Sequence, residues 1–263
     1  MLDGITIGQY IPGESIVHRL DPRTKIILSL VIIVALFVIT SISGYAILLG
    51  FLVAATLLSG IGVRIVLKGL RPLVAILVIT FLLHLFMNPG RMIFTIGPLT
   101  ATYEGVYRGV FMVGRLVLLV IVTSLLTLAT SPIQLTDGTE YLLRPLTRLG
   151  VPSHELAMMM TIALRFIPTL LEEADKIMKA QMARGADFES GNMVQRAKGL
   201  IPLLVPLFVS AFRRADELAM AMESRCYRGG KGRTRLRQLR LSSIDYAASI
   251  ITVATMVLLV VYF

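Results

Sequence analysis

Apolar stretches long enough to matter alternate with short polar breaks through the first half of the chain. Ile26–Ser43 and Tyr45–Gly62 carry no charge, Pro72–Met87 holds His84 as its one ionisable side chain, and Gly109–Thr130 holds Arg115 near its start. A further stretch, Tyr246–Phe263, closes the sequence. A helix needs about 20 mostly apolar residues, each rising 1.5 Å, to cross a bilayer. The pattern therefore predicts five transmembrane helices. Gly44 is expected to break the first pair, and Asn88-Pro89-Gly90 to turn the chain after the third span.

The polar breaks set an orientation. Arg19, Arg23 and Lys25 precede the first span, and Arg64, Lys68 and Arg71 separate the second from the third. The stretch from Ala129 to Leu241 follows the fourth. All fall on one side, while the other receives the Ser41–Gly44 turn and a loop holding Arg91, Glu104 and Arg108. Cytoplasmic loops carry the excess of Lys and Arg, so the N-terminus is expected inside and the C-terminus outside. The expected organisation is a cytoplasmic segment over 1–25, four spans over 26–130, a cytoplasmic module over 131–241 and the last span over 242–263.

That middle module departs from the rest. Residues 131–240 hold 17 of the 26 basic and 11 of the 16 acidic residues. The fold class predicted is all-α: a polytopic membrane protein of about five transmembrane helices plus a cytoplasmic helical module built on two long amphipathic helices. The first is expected to start with Ser153 as its N-cap. Met160, Ala163, Ile167, Leu170, Ala174 and Ile177 then recur at three and four, with Glu172–Lys176 and Asp175–Lys179 as i,i+4 pairs. Gly185 offers a stop. Asn192 is placed to cap the second helix, which runs to about Arg225 before Gly229-Gly230. The preferred reading lays both helices on the cytoplasmic side, and the alternative makes them two extra spans, which would leave the side of the C-terminus unchanged but move Lys176, Lys179, Arg184, Arg196 and Lys198 outside. Leu156–Leu171 has Arg165 at its middle, which costs about 2.5–3.5 kcal/mol at a span centre. Gly199–Phe212 is too short to cross. Pro168, Pro202 and Pro206 each remove a backbone donor and are expected to bend these helices along the membrane face.

Composition narrows the function. The 263 residues are 56% hydrophobic and 16% charged, with a mean hydropathy of +0.79, a net charge of +10 and one cysteine. Soluble domains are about 25% charged, so the bilayer is the expected solvent; disordered, collagen-like, rod and disulfide-scaffold classes are excluded. The N-terminus holds Asp3 and Glu14 with no basic n-region, and the first apolar run starts only near Ile26, so no cleavable signal peptide is expected. The six basic residues between Tyr227 and Arg240 read as attraction to anionic lipid, and without an aromatic platform they do not suggest nucleic acid. There is no phosphate-binding G-x-x-x-x-G-K-[ST] and no H-E-x-x-H. His18, His84 and His154 lie far apart, and no metal site or catalytic set is expected. The five apolar stretches, the last counted from Tyr246, contain no Asp or Glu, which speaks against an ion-coupled carrier. Arg115 is expected to snorkel to the outer interface. Gly105, Gly109 and Gly114 suggest close helix packing.

Two arginine signatures remain. K-A-Q-M-A-R-G-A-D-F centres on Ala183, Arg184 and Gly185; A-M-E-S-R-C-Y-R-G centres on Ser224, Arg225 and Cys226. A planar, always-charged guanidinium at a helix C-terminus suits a partner carboxylate, and the small neighbours would let the helix end enter a narrow cleft. With H-R-L-D-P-R-T-K (His18–Lys25), A-L-R-F-I-P-T-L (Ala163–Leu170) and the order of four spans, helical insert and last span, the whole chain resembles the transmembrane T component of energy-coupling factor (ECF) importers. The cobalt-type Q components are similar. That pattern puts an Ala-Arg-Gly-like tripeptide at the end of each of two coupling helices; the second copy here keeps only its central arginine.

The resemblance implies a non-catalytic coupler. Two ABC-type ATPase subunits, which carry the ATP and Mg, would bind Arg184 and Arg225; this chain itself would hold no cofactor. Motion of the helix ends would pass to a substrate-binding membrane S component for vitamin or metal-ion uptake. Met158, Met159, Met160, Leu203, Leu207 and Phe208 are the residues expected to meet that component, since methionine-rich surfaces repack readily. The expected setting is the cell membrane. A self-sufficient carrier and a dedicated cobalt or nickel importer subunit are the alternatives.

Overall fold

A computed structural model describes residues 10–96, 99–186, 188, 192, 199–230 and 238–262. These divide into two compact units, one of residues 143–230 and one of residues 10–142 with 238–262.

In the larger unit, a short helix α1 (Ile16–Arg19) leads into α2 (Pro22–Val38), α3 (Ile42–Ser59), α4 (Val63–Lys68) and α5 (Val74–Met87). A β-hairpin follows, β1 (Met92–Ile96) and β2 (Leu99–Thr102), antiparallel. Then come α6 (Tyr103–Ala129) and α7 (Pro132–Leu143), and after the smaller unit α10 (Ser243–Tyr262). The smaller unit holds α8 (Ser153–Ala183) and α9 (Ile201–Ser224).

Among the described residues five helical segments are long and apolar enough to cross a membrane: Ile42–Ser59, Val63–Met87 (α4 through α5), Tyr103–Ala129, Ser153–Ala183, which the preferred sequence reading placed outside the spans, and Ser243–Tyr262. The protein is an all-α polytopic membrane protein in which the short hairpin is the exception. α8 is the least apolar of the five, and α2, 17 residues long, covers the first predicted span. Several boundaries move. The first break falls at residues 39–41, before Gly44, whose N–H donates to Ser41 Oγ within the first turn of α3 (3.1 Å). Pro152, not Ser153, precedes the first turn of α8, and no side chain caps it. The segment 193–198, which follows Asn192, lies outside the described residues. Arg225 ends the second long helix, four residues before Gly229.

The core of the larger unit is made by Leu36, Leu48, Leu52, Leu118, Val122, Met256 and Leu259, all nearly inaccessible. α2 packs on α6 and α10, and α6 also receives α3 and α5. The glycines of α6 explain the last contact. A Cβ on Gly105 would lie 2.6 Å from the Leu85 carbonyl oxygen, and one on Gly109 would lie 3.0 Å from the Phe81 ring. α5 buries no side chain, and Leu57, Ile79, Met87 and Val261 are among many large apolar residues left exposed. Lipid tails solvate such surfaces while each helix satisfies its own backbone.

Candidate functional site

The two arginine-bearing helix ends are built alike. In α8 the N–H of Arg184 donates to the Gln181 carbonyl, that of Gly185 to Met182 and that of Ala186 to Gln181, all at 3.0 Å. In α9 the N–H of Arg225 donates to Met222 (3.2 Å), that of Cys226 to Glu223 (2.8 Å) and that of Tyr227 to Met222 (3.0 Å). Both are six-to-one closures that satisfy the last helical carbonyls, and such closures need a left-handed residue one step past the cap. Gly185 supplies it at φ 87° and Cys226 at φ 56°. Ala183, Arg184, Gly185, Ser224, Arg225 and Cys226 are all exposed. Among the described residues neither guanidinium has an ion-pair partner. The two ends thus project similar forks of donors from matching backbones. The sequence places both arginines at helix ends, as the backbone does; that Cys226 stands where the other end has a glycine appears only in the backbone.

The expected apolar contact face is split. Met159, Met160 and Phe208 are more than half exposed, and Met158 is half-buried. Leu203 is buried at 8% exposure and Leu207 is half-buried. α9 instead exposes Ile201, Leu204, Val205, Phe208, Val209 and Phe212, a stripe at three- and four-residue spacing. Periodicity shows an apolar helix, but only packing shows which stripe is already covered. Pro168 and Pro206 lie inside their helices, whereas Pro202 sits in the first turn of α9. There its missing donor has no partner to lose, so any bending falls to the other two.

The His18–Lys25 motif forms a buried polar knot. Asp21 caps α2, and its carboxylate accepts from the Arg23 N–H, Nε and Nη2, each at 2.9 Å. The Arg23 guanidinium lies 4.1 Å from the Tyr141 ring centre. Lys25 Nζ donates to the carbonyls of His18 (3.1 Å) and Ala129 (2.9 Å), the latter closing α6. Asp245, 2% exposed, accepts the Asp21 N–H on Oδ1 and the Ser242 N–H on Oδ2, both at 2.7 Å. Burial alone would raise Asp21, but its hydrogen bonds to Arg23 and the nearby cations outweigh this and hold it below the ordinary carboxylate value. Those bonds in turn raise Arg23. Burial lowers Lys25 to about 8, against the pull of Asp245 and Asp21. This polar first turn precedes the apolar stretch that starts at Ile26. Asp245 was missed because it borders the apolar run; the helix starts earlier, at Ser243, and takes the carboxylate into its first turn.

Arg115 does not snorkel free. Its Nε donates to Tyr45 Oη (2.8 Å), Tyr45 Oη donates to the Leu36 carbonyl (2.9 Å), and Phe37 and Phe111 lie 5.2 and 5.3 Å away. Tyr45 reaches this guanidinium from α3, a partner that hydropathy cannot reveal. His84 Nδ1 donates to the Thr80 carbonyl at 2.9 Å. Among the described residues no group of three His, Cys, Asp or Glu side chains is placed to hold a metal ion.

The chain matches the family described as CbiQ, cobalt transport protein, over residues 13–236. It is 67% identical over 248 residues to a protein of Thermosediminibacter oceani named energy-coupling factor transporter transmembrane protein EcfT, covering 94% of each chain. It is 58% identical to a protein of that name from Clostridium kluyveri, covering 95% of this chain and 93% of the relative. With the Bacillus subtilis protein of the same name the identity is 52%, over 91% of each.

Proposed function

The chain belongs to the CbiQ cobalt transport protein family, and from that premise we propose that it is the coupling scaffold of an energy-coupling factor importer. Two cytoplasmic ABC-type ATPase subunits, holding ATP and Mg, dock on the end of α8 through Arg184 and on the end of α9 through Arg225. Their closure moves the two helix ends. The helices pass that motion to a membrane S component that binds the vitamin or metal ion carried as substrate. The N-terminus lies inside and the C-terminus outside, so that the basic segments face the cytoplasm.

The observation that carries this reading is the pair of matching, exposed helix ends, each with an arginine at the same step of the same closure. One arginine complementing its own helix dipole needs no partner. Two, each followed by a left-handed residue that narrows the tip, fit two copies of one kind of cleft.

Co-purification with a pair of ATPase subunits in detergent tests it, with wild type beside Arg184→Glu, Arg225→Glu and the double change. Each single change is expected to weaken a different subunit and the double change to lose both. Equal retention in all four would leave the arginines as helix caps. Failure of wild type to retain either subunit would sink the scaffold and send the chain to a liposome transport assay as a self-sufficient carrier.

A further inference from the structure

Glu173 of α8 and Arg214 of α9 form an ion pair at 2.7 Å, with side-chain exposures of 23% and 34%. Among the described residues it is the one ion pair that joins two helices of this unit. Lys179–Asp175 and Arg213–Glu217 each lie within a single helix and are far more exposed. Arg214 belongs to the less exposed stripe of α9 with Leu203, Leu207 and Leu218, in which it is the only charged residue. A directional contact therefore sits on a face of α9 that carries no other charge.

Its place along the helices is symmetric. Arg184 lies eleven positions after Glu173, and Arg225 eleven positions after Arg214. Both segments are helical throughout, so each arm is about 16 Å long at 1.5 Å per residue. The arms repeat in sequence: E-A-D-K-I-M-K-A-Q-M-A-R against R-A-D-E-L-A-M-A-M-E-S-R, sharing Ala174/Ala215, Asp175/Asp216, Ala180/Ala221 and Arg184/Arg225. Neither arm contains proline or glycine. Pro168 and Pro206 both fall on the far side of the ion pair. At the one repeat position where the two helices meet through charge, the residues are of opposite sign.

Resting on the scaffold reading above, we infer that the Glu173–Arg214 ion pair is the pivot of a lever with two equal arms, holding the crossing point while the arginine-bearing ends move. The uninterrupted arms carry displacement as rigid rods, and the proline-containing halves beyond the pivot take up the deformation. A partly buried pair of complementary forks resists sliding along the helix axes, which an apolar contact allows, and it still permits rotation about the contact.

The test needs no ATPase. Cys226 is the chain's only cysteine and is exposed. With Met182→Cys it accepts a pair of nitroxide labels, and pulsed electron-spin distance measurements on the full chain in nanodiscs report the separation of the arms. We expect one narrow distribution in this labelled background. Glu173→Gln and Arg214→Gln are expected to lose the narrow peak, and the exchange Glu173→Arg with Arg214→Glu to restore it. Asp175→Asn, which breaks only the exposed pair on α8, is expected to leave it. Should the glutamine variants not fold, Glu173→Asp keeps the charge, shortens the reach and is expected to broaden the peak. Unchanged width in any folded variant of the pair, or an exchange as broad as the single changes, overturns the pivot. Loss of ATPase co-purification in wild type fails the scaffold reading separately.

Discussion

Gly185 and Cys226 occupy the same left-handed position, one residue past Arg184 and Arg225, at φ 87° and 56°. One has no side chain and the other has a small one. The surroundings of Gly185 are open, with nothing within 4 Å of a Cβ placed there, so backbone conformation alone resists substitution. Gly185→Val is expected to cost about 1–2 kcal/mol at this helix end and to weaken retention of one ATPase subunit. Cys226→Gly is expected to keep both subunits, and Cys226→Val to weaken the other. Detergent melting and co-purification of the four chains check this.

Asp245 joins the first turn of α10 to the start of α2, 224 positions earlier. Asp245→Ala would leave the buried Asp21 N–H and the part-buried Ser242 N–H without their acceptor and remove a counter-charge to Lys25. The expected loss is about 3–5 kcal/mol. Asp245→Asn retains one acceptor and is expected to lose about 1–3 kcal/mol. Melting midpoints that match wild type in both variants would show that the knot is not holding these helices.

Lys25 gives a pH signature. Its folded pKa of about 8 lies below the ordinary 10.5, so between those values the unfolded chain binds more protons than the folded one. Stability is therefore expected to rise with pH from about 8 towards 10.5 and to gain nothing from this group below about 8. Lys25→Met is expected to remove that rise. The comparison is of melting midpoints for both chains across pH 7 to 10.5.

Tyr45 is the hydrogen-bond acceptor for Arg115 Nε. Tyr45→Phe leaves that donor without its acceptor among apolar neighbours, at an expected cost of about 1–3 kcal/mol. Tyr45→Phe combined with Arg115→Leu is expected to recover most of that cost. A double variant as unstable as the single one would place the effect in ring packing instead.

Gly105 admits no side chain against the ends of the Leu85 and His84 carbonyls. Gly105→Ala must push α5 from α6, and an overpacked contact costs about 1–3 kcal/mol. Gly114→Ala, whose Cβ would meet its nearest neighbour at 3.8 Å, is the matched control. Equal melting of the two variants would contradict the close approach.

The spans were legible in the chain because transfer into lipid is nearly additive over neighbouring residues, so Tyr45–Gly62 or Tyr246–Phe263 announces itself without knowledge of its partners. The arginine ends were legible too, since a cap is a local arrangement of a few residues. Pairings were not. The sequence shows Asp245 and Asp21 as charges bordering apolar runs, and only the packing of α2 on α10 makes them hydrogen-bond partners. It shows α9 as an apolar helix, and only the packing decides that Leu203 is covered while Phe208 stays exposed. The two signatures centred on Arg184 and Arg225 stand in the sequence, yet the arms leading to them could be compared only once the fold brought Glu173 within 2.7 Å of Arg214. Periodicity specifies a face, whereas the identity of what meets that face is a long-range property that the tertiary structure alone supplies.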